Sequence, residues 1–315
     1  MPRAPIRLSR PLLLPLLCLP VLLPLPAAAS GDGHAAAPAA HADTGHADTG
    51  HADTGHAPAA TPAAAHSALP MAPEGGLCTG FGPQTPRDIA ATEGMNRVTF
   101  PLAPPPEAMN LCNIHTHTNA EHRGPGFSIL SSDPHAGGYK CNETDRLTPA
   151  ELQDPAFGHG PFGHVKPGDT IEVHWVYSSC DVQPGPGLGA CLSESCSNPT
   201  LRVESQVFLV VNDPFALDFA TFAHAGTTVA GHPQPRALPS QTGTPVVFRG
   251  STTGPSYTQA TCSPLQVTWS VRPNCARLDI SSLYRWGHDG NVFGEDHSHG
   301  VRQLVTAPEL LAPIR

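Results

Sequence analysis

Two short segments of this 315-residue chain place imidazoles where they can converge on a metal ion: Asn113-Ile114-His115-Thr116-His117 and Ile171-Glu172-Val173-His174-Trp175-Val176. Both read as strands. Side chains alternate faces along a strand, so His115 and His117 point the same way, and Glu172, His174 and Val176 share a face of the second segment. Three imidazoles on one divalent cation leave a coordination position open to solvent. That is the arrangement of catalytic zinc, whereas structural zinc closes all four positions. A lone His-X-His carries little weight in a chain with 18 histidines, so the surroundings matter. Metal-bound histidines usually give their second ring proton to a carboxylate or amide. Asn113 and Glu172, each two residues before a histidine and on its face, can take that role.

Strands so far apart in sequence need a sheet to bring them together, and the rest of the chain supplies one. Short Val, Ile, Thr and aromatic runs broken by Pro and Gly predict strands at Arg97–Phe100, Asn110–His117, Thr170–Tyr177, Leu201–Val211, Pro245–Phe248, Leu265–Val271 and Arg277–Ile280. Helix signals are few. Thr148-Pro149-Ala150-Glu151 has the form of a capped helical turn, and Asp213-Pro214 opens a predicted helix running to about Phe222. The expected fold is mainly β: a single domain over residues 73–315, with a large central, mostly antiparallel sheet, peripheral loops and short helices. Roughly 240 residues suffice for a substantial core.

The preceding residues are of another kind. Arg3, Arg7 and Arg10, an apolar Leu/Pro run from Pro11 to Pro26, and Ala27-Ala28-Ala29 before Ser30 predict an export signal over residues 1–29. Cys18 does not fit a lipid-anchored cysteine, because Leu17 stands where a small residue is expected. Residues 30–72 have almost no large apolar side chain and are expected to be a disordered linker. Within it His-Ala-Asp-Thr-Gly repeats, spacing His41, His46, His51 and His56 five residues apart. The repeat is either a reversible metal-collecting tract or a plain low-complexity linker.

Loss of three arginines and no acids on export takes the formal charge from −9 to −12. Nucleic acid is therefore excluded as a partner, since phosphate binding needs clustered Lys and Arg. No later run is long and apolar enough to span a bilayer. The even set Cys78, Cys112, Cys141, Cys180, Cys191, Cys196, Cys262 and Cys275 points to disulfides and a periplasmic or secreted location.

The stretch Cys112-Asn113-Ile114-His115-Thr116-His117-Thr118-Asn119-Ala120-Glu121-His122, followed by Glu172-Val173-His174-Trp175, resembles the delta-class carbonic anhydrases, and other pieces resemble the alpha class. Alpha enzymes carry a Gln-X-His-X-His strand, a Ser-Glu-His and a Glu-X-His strand in this order. Cys78-Thr79-Gly80, Gln84-Thr85-Pro86, Gly250-Ser251-Thr252-Thr253-Gly254-Pro255 and Val267-Thr268-Trp269 are similar to further alpha-class motifs. The resemblance implies an alpha-carbonic-anhydrase-like fold and reversible hydration of carbon dioxide to bicarbonate and a proton by a zinc-bound hydroxide. It assigns zinc to His115, His117 and His174, with Asn113 and Glu172 behind them. Thr252 or Thr253 would orient the hydroxide and donate to Glu121, with His122 adjoining. Val176 and Trp269 would wall the carbon dioxide pocket, and a Cys78–Cys262 disulfide would close the fold. Cadmium or cobalt substitution for zinc is compatible with such a site, and the oligomeric state stays open.

The chain also departs from the alpha pattern. About fifty-six residues separate His117 from His174, which implies a long insertion containing Cys141 that loops out. Glu121 follows His117 closely, so the turn between them must be short. The insertion offers His135, His159 and His164 as histidines that could carry protons at a cavity mouth, none of them singled out. Glu295-Asp296-His297-Ser298-His299 holds a second His-X-His, either another metal site or, given its acidic, glycine-flanked context, an exposed loop. Cys191 and Cys196 are close enough to pair, with Cys180 nearby, and a closed thiolate zinc site is the chemical alternative. Asn142-Glu143-Thr144 is a glycosylation sequon. The rival to an enzyme is a non-catalytic envelope zinc-binding or zinc-delivery protein, and ester hydrolysis is a conceivable side activity.

Overall fold

The computed structural model describes residues 76–133 and 137–315. The predicted signal, the repeat-bearing linker, the first residues of the predicted domain and His135 lie outside the described residues. Among the described residues ten strands and one α-helix follow in chain order: β1 (Asn110–Thr118), β2 (Ile129–Leu130), β3 (Tyr139–Lys140), β4 (Thr170–Ser178), β5 (Leu201–Val211), β6 (Thr228–Val229), β7 (His232–Pro233), β8 (Val246–Ser251), β9 (Gln266–Val271), β10 (Ala276–Asp279) and α1 (Ile280–His288).

The central sheet runs β1-β4-β5-β9-β8, with β10 also on β5. It is mixed. The pairs β1–β4, β4–β5 and β8–β9 are antiparallel, and β5 pairs in parallel with both β9 and β10. The length of β5 allows this: one edge pairs with β4 over Leu201–Leu209, while the other takes β9 at Leu201–Ser205 and β10 at Phe208–Val211.

Alternation along β4 sorts residues between the two faces. Ile171, Val173, Trp175 and Tyr177 join a core that also contains Phe208, Phe219, Phe222, Leu283 and Trp286. Val176 belongs to the opposite core, with Val203, Phe248, Val267 and Trp269. Every residue of β4 is buried. A strand covered on both sides loses the simple apolar–polar rhythm, so Glu172 and His174 are the residues of β4 that need a functional explanation. Among the described residues, no helix is long and apolar enough to cross a membrane.

Several expectations change. Arg97–Phe100 is not a strand; Asn96 Oδ1 accepts from the Val98 N–H at 3.0 Å and the Phe100 carbonyl accepts from Arg249 Nε at 2.5 Å, so side chains take the place of a ladder. The helix expected from Asp213 is a turn followed by a 3-10 turn at Phe219–Thr221. Asp213 and Asp218 each accept from the N–H two residues on, at 2.9 and 2.8 Å, which favours turns over helix. Thr148 and Glu151 do exchange capping-box hydrogen bonds, but around a turn alone. The strand expected at Arg277–Ile280 ends at Asp279, whose carboxylate accepts the Ser282 N–H at 3.2 Å and starts α1 directly. Ile280, Leu283 and Tyr284 then form its buried stripe.

The disulfides are Cys78–Cys262, Cys112–Cys191, Cys141–Cys275 and Cys180–Cys196. Cys191 therefore does not pair with Cys196. The 3-10 turn Leu188–Cys191 lies on β1 and faces Cys112, and a tight turn from Ser193 to Cys196 presents the latter to Cys180. With all eight cysteine sulfurs among the described residues bonded, none of these is left as a thiolate for a closed zinc site. The long insertion does not hang free: β2 and β3 form a hairpin, Ala120 bridges Tyr139, and Cys141 ties it to the start of β10.

Candidate metal centre

The register of β1 on β4 sets His115 opposite His174 and His117 opposite Glu172. All four project from one face. The ring centroids are 5.0 Å apart for His115–His117, 5.1 Å for His115–His174 and 4.6 Å for His117–His174. One nitrogen from each ring lies within 4.8 Å of the others.

The remaining ring nitrogens decide which nitrogens face inward. His115 Nδ1 is 2.6 Å from Asn113 Oδ1, and Asn113 Nδ2 donates to the Gly185 carbonyl, which fixes the amide. His117 Nδ1 is 3.2 Å from the Gly300 carbonyl. His174 Nε2 is 3.2 Å from Glu172 Oε1, an ion-pair contact out of line for a hydrogen bond that still leaves Glu172 as the nearest group behind the ring. That leaves His115 Nε2, His117 Nε2 and His174 Nδ1 for the centre. The first and third are 3.3 Å apart, and His117 Nε2 is buried without a hydrogen-bond partner. Nitrogens at about 2.0–2.1 Å from a tetrahedral ion are separated by about 3.3–3.4 Å; His115 and His174 stand at that separation, and His117 lies within 4.8 Å of both. Burial pushes all three imidazoles toward the neutral form that coordinates metals, His117 to about 4 against the opposing pull of Glu172.

Glu172 anchors more than one ligand. Its carboxylate also meets His122 Nδ1 at 2.9 Å, the Ser205 hydroxyl, and the Glu121 N–H at 2.6 Å. Burial alone would raise its pKa, but the charge and hydrogen bond of His122 and the contact with His174 hold it well below the usual carboxylate range. Ser205 had no signal in the sequence, being one small polar residue in an apolar strand.

Glu121 is fully buried and touches His117 Nδ1 at 3.4 Å. Burial raises its carboxyl pKa, while His174 and the Thr253 hydroxyl against it pull the other way. Its Oε2 has no hydrogen bond of full geometry among the described residues. Thr252 is committed elsewhere: its hydroxyl bonds Ser263 Oγ, and its N–H donates to the Leu265 carbonyl. Gly250 lets the strand before these threonines approach its neighbours, since a Cβ there would stand 1.9 Å from Thr85 Oγ1.

The histidines open onto a cavity of about 440 Å³. Val176, Leu201, Val203, Val267 and Trp269 give it an apolar lining, and Thr252 and Thr253 line it together with His115, His117 and His174. The family model of the delta carbonic anhydrases matches residues 106–282, more than half of the chain and all of β1 and β4. The chain belongs to the delta carbonic anhydrase family. No curated protein matches the chain.

The enzyme therefore acts on carbon dioxide and bicarbonate. Part of its cavity lies beyond the matched segment. Residues 295–300 run along the free edge of β1: His299 N–H donates to the Thr116 carbonyl, Thr118 N–H donates to the His299 carbonyl, both at 2.8 Å, and Glu295 Oε1 accepts the Thr116 N–H at 2.7 Å. The segment is thus not a free loop. His299 lies 6.2 and 6.3 Å from the His115 and His117 rings, and His297 and His299 both line the cavity. The period-two spacing of Glu295, His297 and His299 was the available signal. His159 and His164 are exposed and do not line the cavity.

Proposed function

We propose that this carbonic anhydrase is a zinc enzyme in which His115, His117 and His174 hold the ion through Nε2, Nε2 and Nδ1. The observation that carries the reading is the trio of inward nitrogens, buried, neutral and fixed from behind by Asn113, the Gly300 carbonyl and Glu172. When bound, zinc supplies Lewis acidity that brings the pKa of water to about 7, so that hydroxide is available at neutral pH. Imidazole donors also suit cobalt and cadmium.

The chain does the rest. Asn113 and Glu172 lock ring orientation and tautomer. Thr253 accepts the hydrogen of the nucleophile while donating its own to Glu121, which aims a lone pair into the cavity; Thr252, engaged with Ser263, supports the loop. Val176 and Trp269 offer carbon dioxide an apolar surface with no competing hydrogen-bond donor facing it, because Trp269 Nε1 donates to the Ser251 carbonyl at 2.9 Å.

Residues 1–29 serve as the export signal, 30–72 as a linker and 73–315 as the catalytic domain, outside the cytoplasm, where four disulfides persist. A zinc carrier would need the ligands but neither the Thr253–Glu121 contact nor the apolar wall. Stopped-flow hydration of carbon dioxide, before chelation, after it and after zinc is restored, tests the reading. Activity that survives complete metal removal, or none in zinc-loaded protein, overturns it.

A further inference from the structure

Each bicarbonate formed releases one proton, CO2 + H2O → HCO3⁻ + H⁺, and that proton has to leave the cavity before the next turnover. The apolar wall around Trp269 provides no group to carry it. The opposite side, built by residues 295–300, does. His297 and His299 alternate with Ser298, so both rings fall on the cavity side of this segment, with centroids 4.7 Å apart. His299 is the inner ring, its Nε2 held by Glu295 Oε2 at 3.0 Å. His297 is the outer ring, its side chain 51% exposed.

The hydrogen bonds of His297 suit it to accept a proton. Its Nδ1 is 2.7 Å from Asp296 Oδ1, and a carboxylate there requires Nδ1 to carry the hydrogen. The neutral ring then keeps its lone pair on Nε2, the nitrogen turned away from the Asp296 carboxylate. The charged and titratable groups around it are Asp296 and His299. The segment before β4 contributes Gly163, whose N–H donates to the Asp296 carbonyl, and β1 contributes the Thr116 hydroxyl toward the His297 carbonyl. Imidazole is the side chain suited to taking up and releasing protons between pH 5 and 8.

We propose that His297 relays the product proton from the cavity to bulk solvent. Water in the cavity gives up a proton to His297 Nε2, one N–H bond forming as one O–H bond breaks. The imidazolium then loses a proton to buffer outside and the ring returns to its starting form. No electrons are transferred, and the His299 ring need not titrate. The proposal rests on the carbonic anhydrase reading.

The test compares His297→Ala with the parent full-length enzyme in dilute buffer of low nucleophilicity and in concentrated imidazole. The expected result is a loss of roughly tenfold or more in kcat in dilute buffer, with kcat/KM unchanged, because proton export follows the hydration step. Added imidazole restores kcat. Metal content per chain and the thermal midpoint stay at parental values, and His159→Ala, outside the cavity, changes nothing. Undiminished kcat in dilute buffer overturns the proposal, as does a joint fall of kcat and kcat/KM that imidazole does not repair. A parent enzyme without hydration activity would instead sink the functional reading, and this proposal with it.

Discussion

Replacing Thr253 with valine keeps the size and branching of the side chain and removes the hydroxyl proposed to donate to Glu121. A hydrogen bond to a charged group contributes about 1.5–3 kcal/mol, and each 1.4 kcal/mol is a factor of about ten in rate. If the contact is made in the transition state, Thr253→Val lowers kcat/KM for hydration by roughly 10- to 150-fold. Zinc content should not change, since Thr253 is not a ligand. Thr252→Val provides the contrast. Its hydroxyl bonds buried Ser263, so the cost falls on stability, about 1–3 kcal/mol for a stranded buried partner, with hydration within a few-fold of the parent. Stopped-flow rates, metal analysis and urea denaturation of both variants separate the two outcomes. In the proposed relay Thr253 and Glu121 act as a pair, so Thr253→Val combined with Glu121→Gln should lose little more than either alone. A larger rate loss from Thr252→Val, or a Thr253→Val enzyme as fast as the parent, refutes the reasoning.

Glu172→Gln removes the charge behind His174 and weakens zinc binding by about 10- to 100-fold, read by competition with a fluorescent chelator; unchanged affinity would contradict the anchoring role. His117→Ala leaves two ligands and should abolish stoichiometric zinc uptake measured by atomic emission, with folding checked by circular dichroism. Metal-free enzyme should lose stability as pH falls. The folded pKa of His117 is about 4 against 6.5 for the unfolded imidazole, so the unfolded chain binds more protons between these values and stability, complete above 6.5, declines below it. The loss is about 3 kcal/mol for His117 alone, seen as a falling thermal midpoint that bound zinc should resist.

The sheet was readable because its strands are long runs with steady alternation: β1, β4 and β5 begin where their Val, Ile and Thr content predicts. Parallel pairing of β9 and β10 on β5 was not, since sequence period reveals a strand's faces but not its neighbour's direction. α1 was missed because Asp279 ends one element and caps the next with no turn between them. At the site, His115, His117 and His174 stood out through their period-two companions. Thr252 and Thr253 could not be separated, because adjacent residues differ only in what the fold sets against them. The sequence around His297 and His299 is equally compatible with an exposed loop; the segment is too short to look like a strand and owes its conformation to the edge of β1.

The Glu172 carboxylate holds the His174 ring from behind and also receives the N–H of Glu121, the first residue of the Glu121-His122 pair. On the proposed zinc reading, cation choice and nucleophile alignment share a single hinge pin. A larger ion that displaced His174 outward would push, through that pin, on the peptide carrying the threonine's acceptor. Selectivity for one metal and speed of turnover should thus change together, and an enzyme adapted to another ion would need compensating substitutions around residue 121.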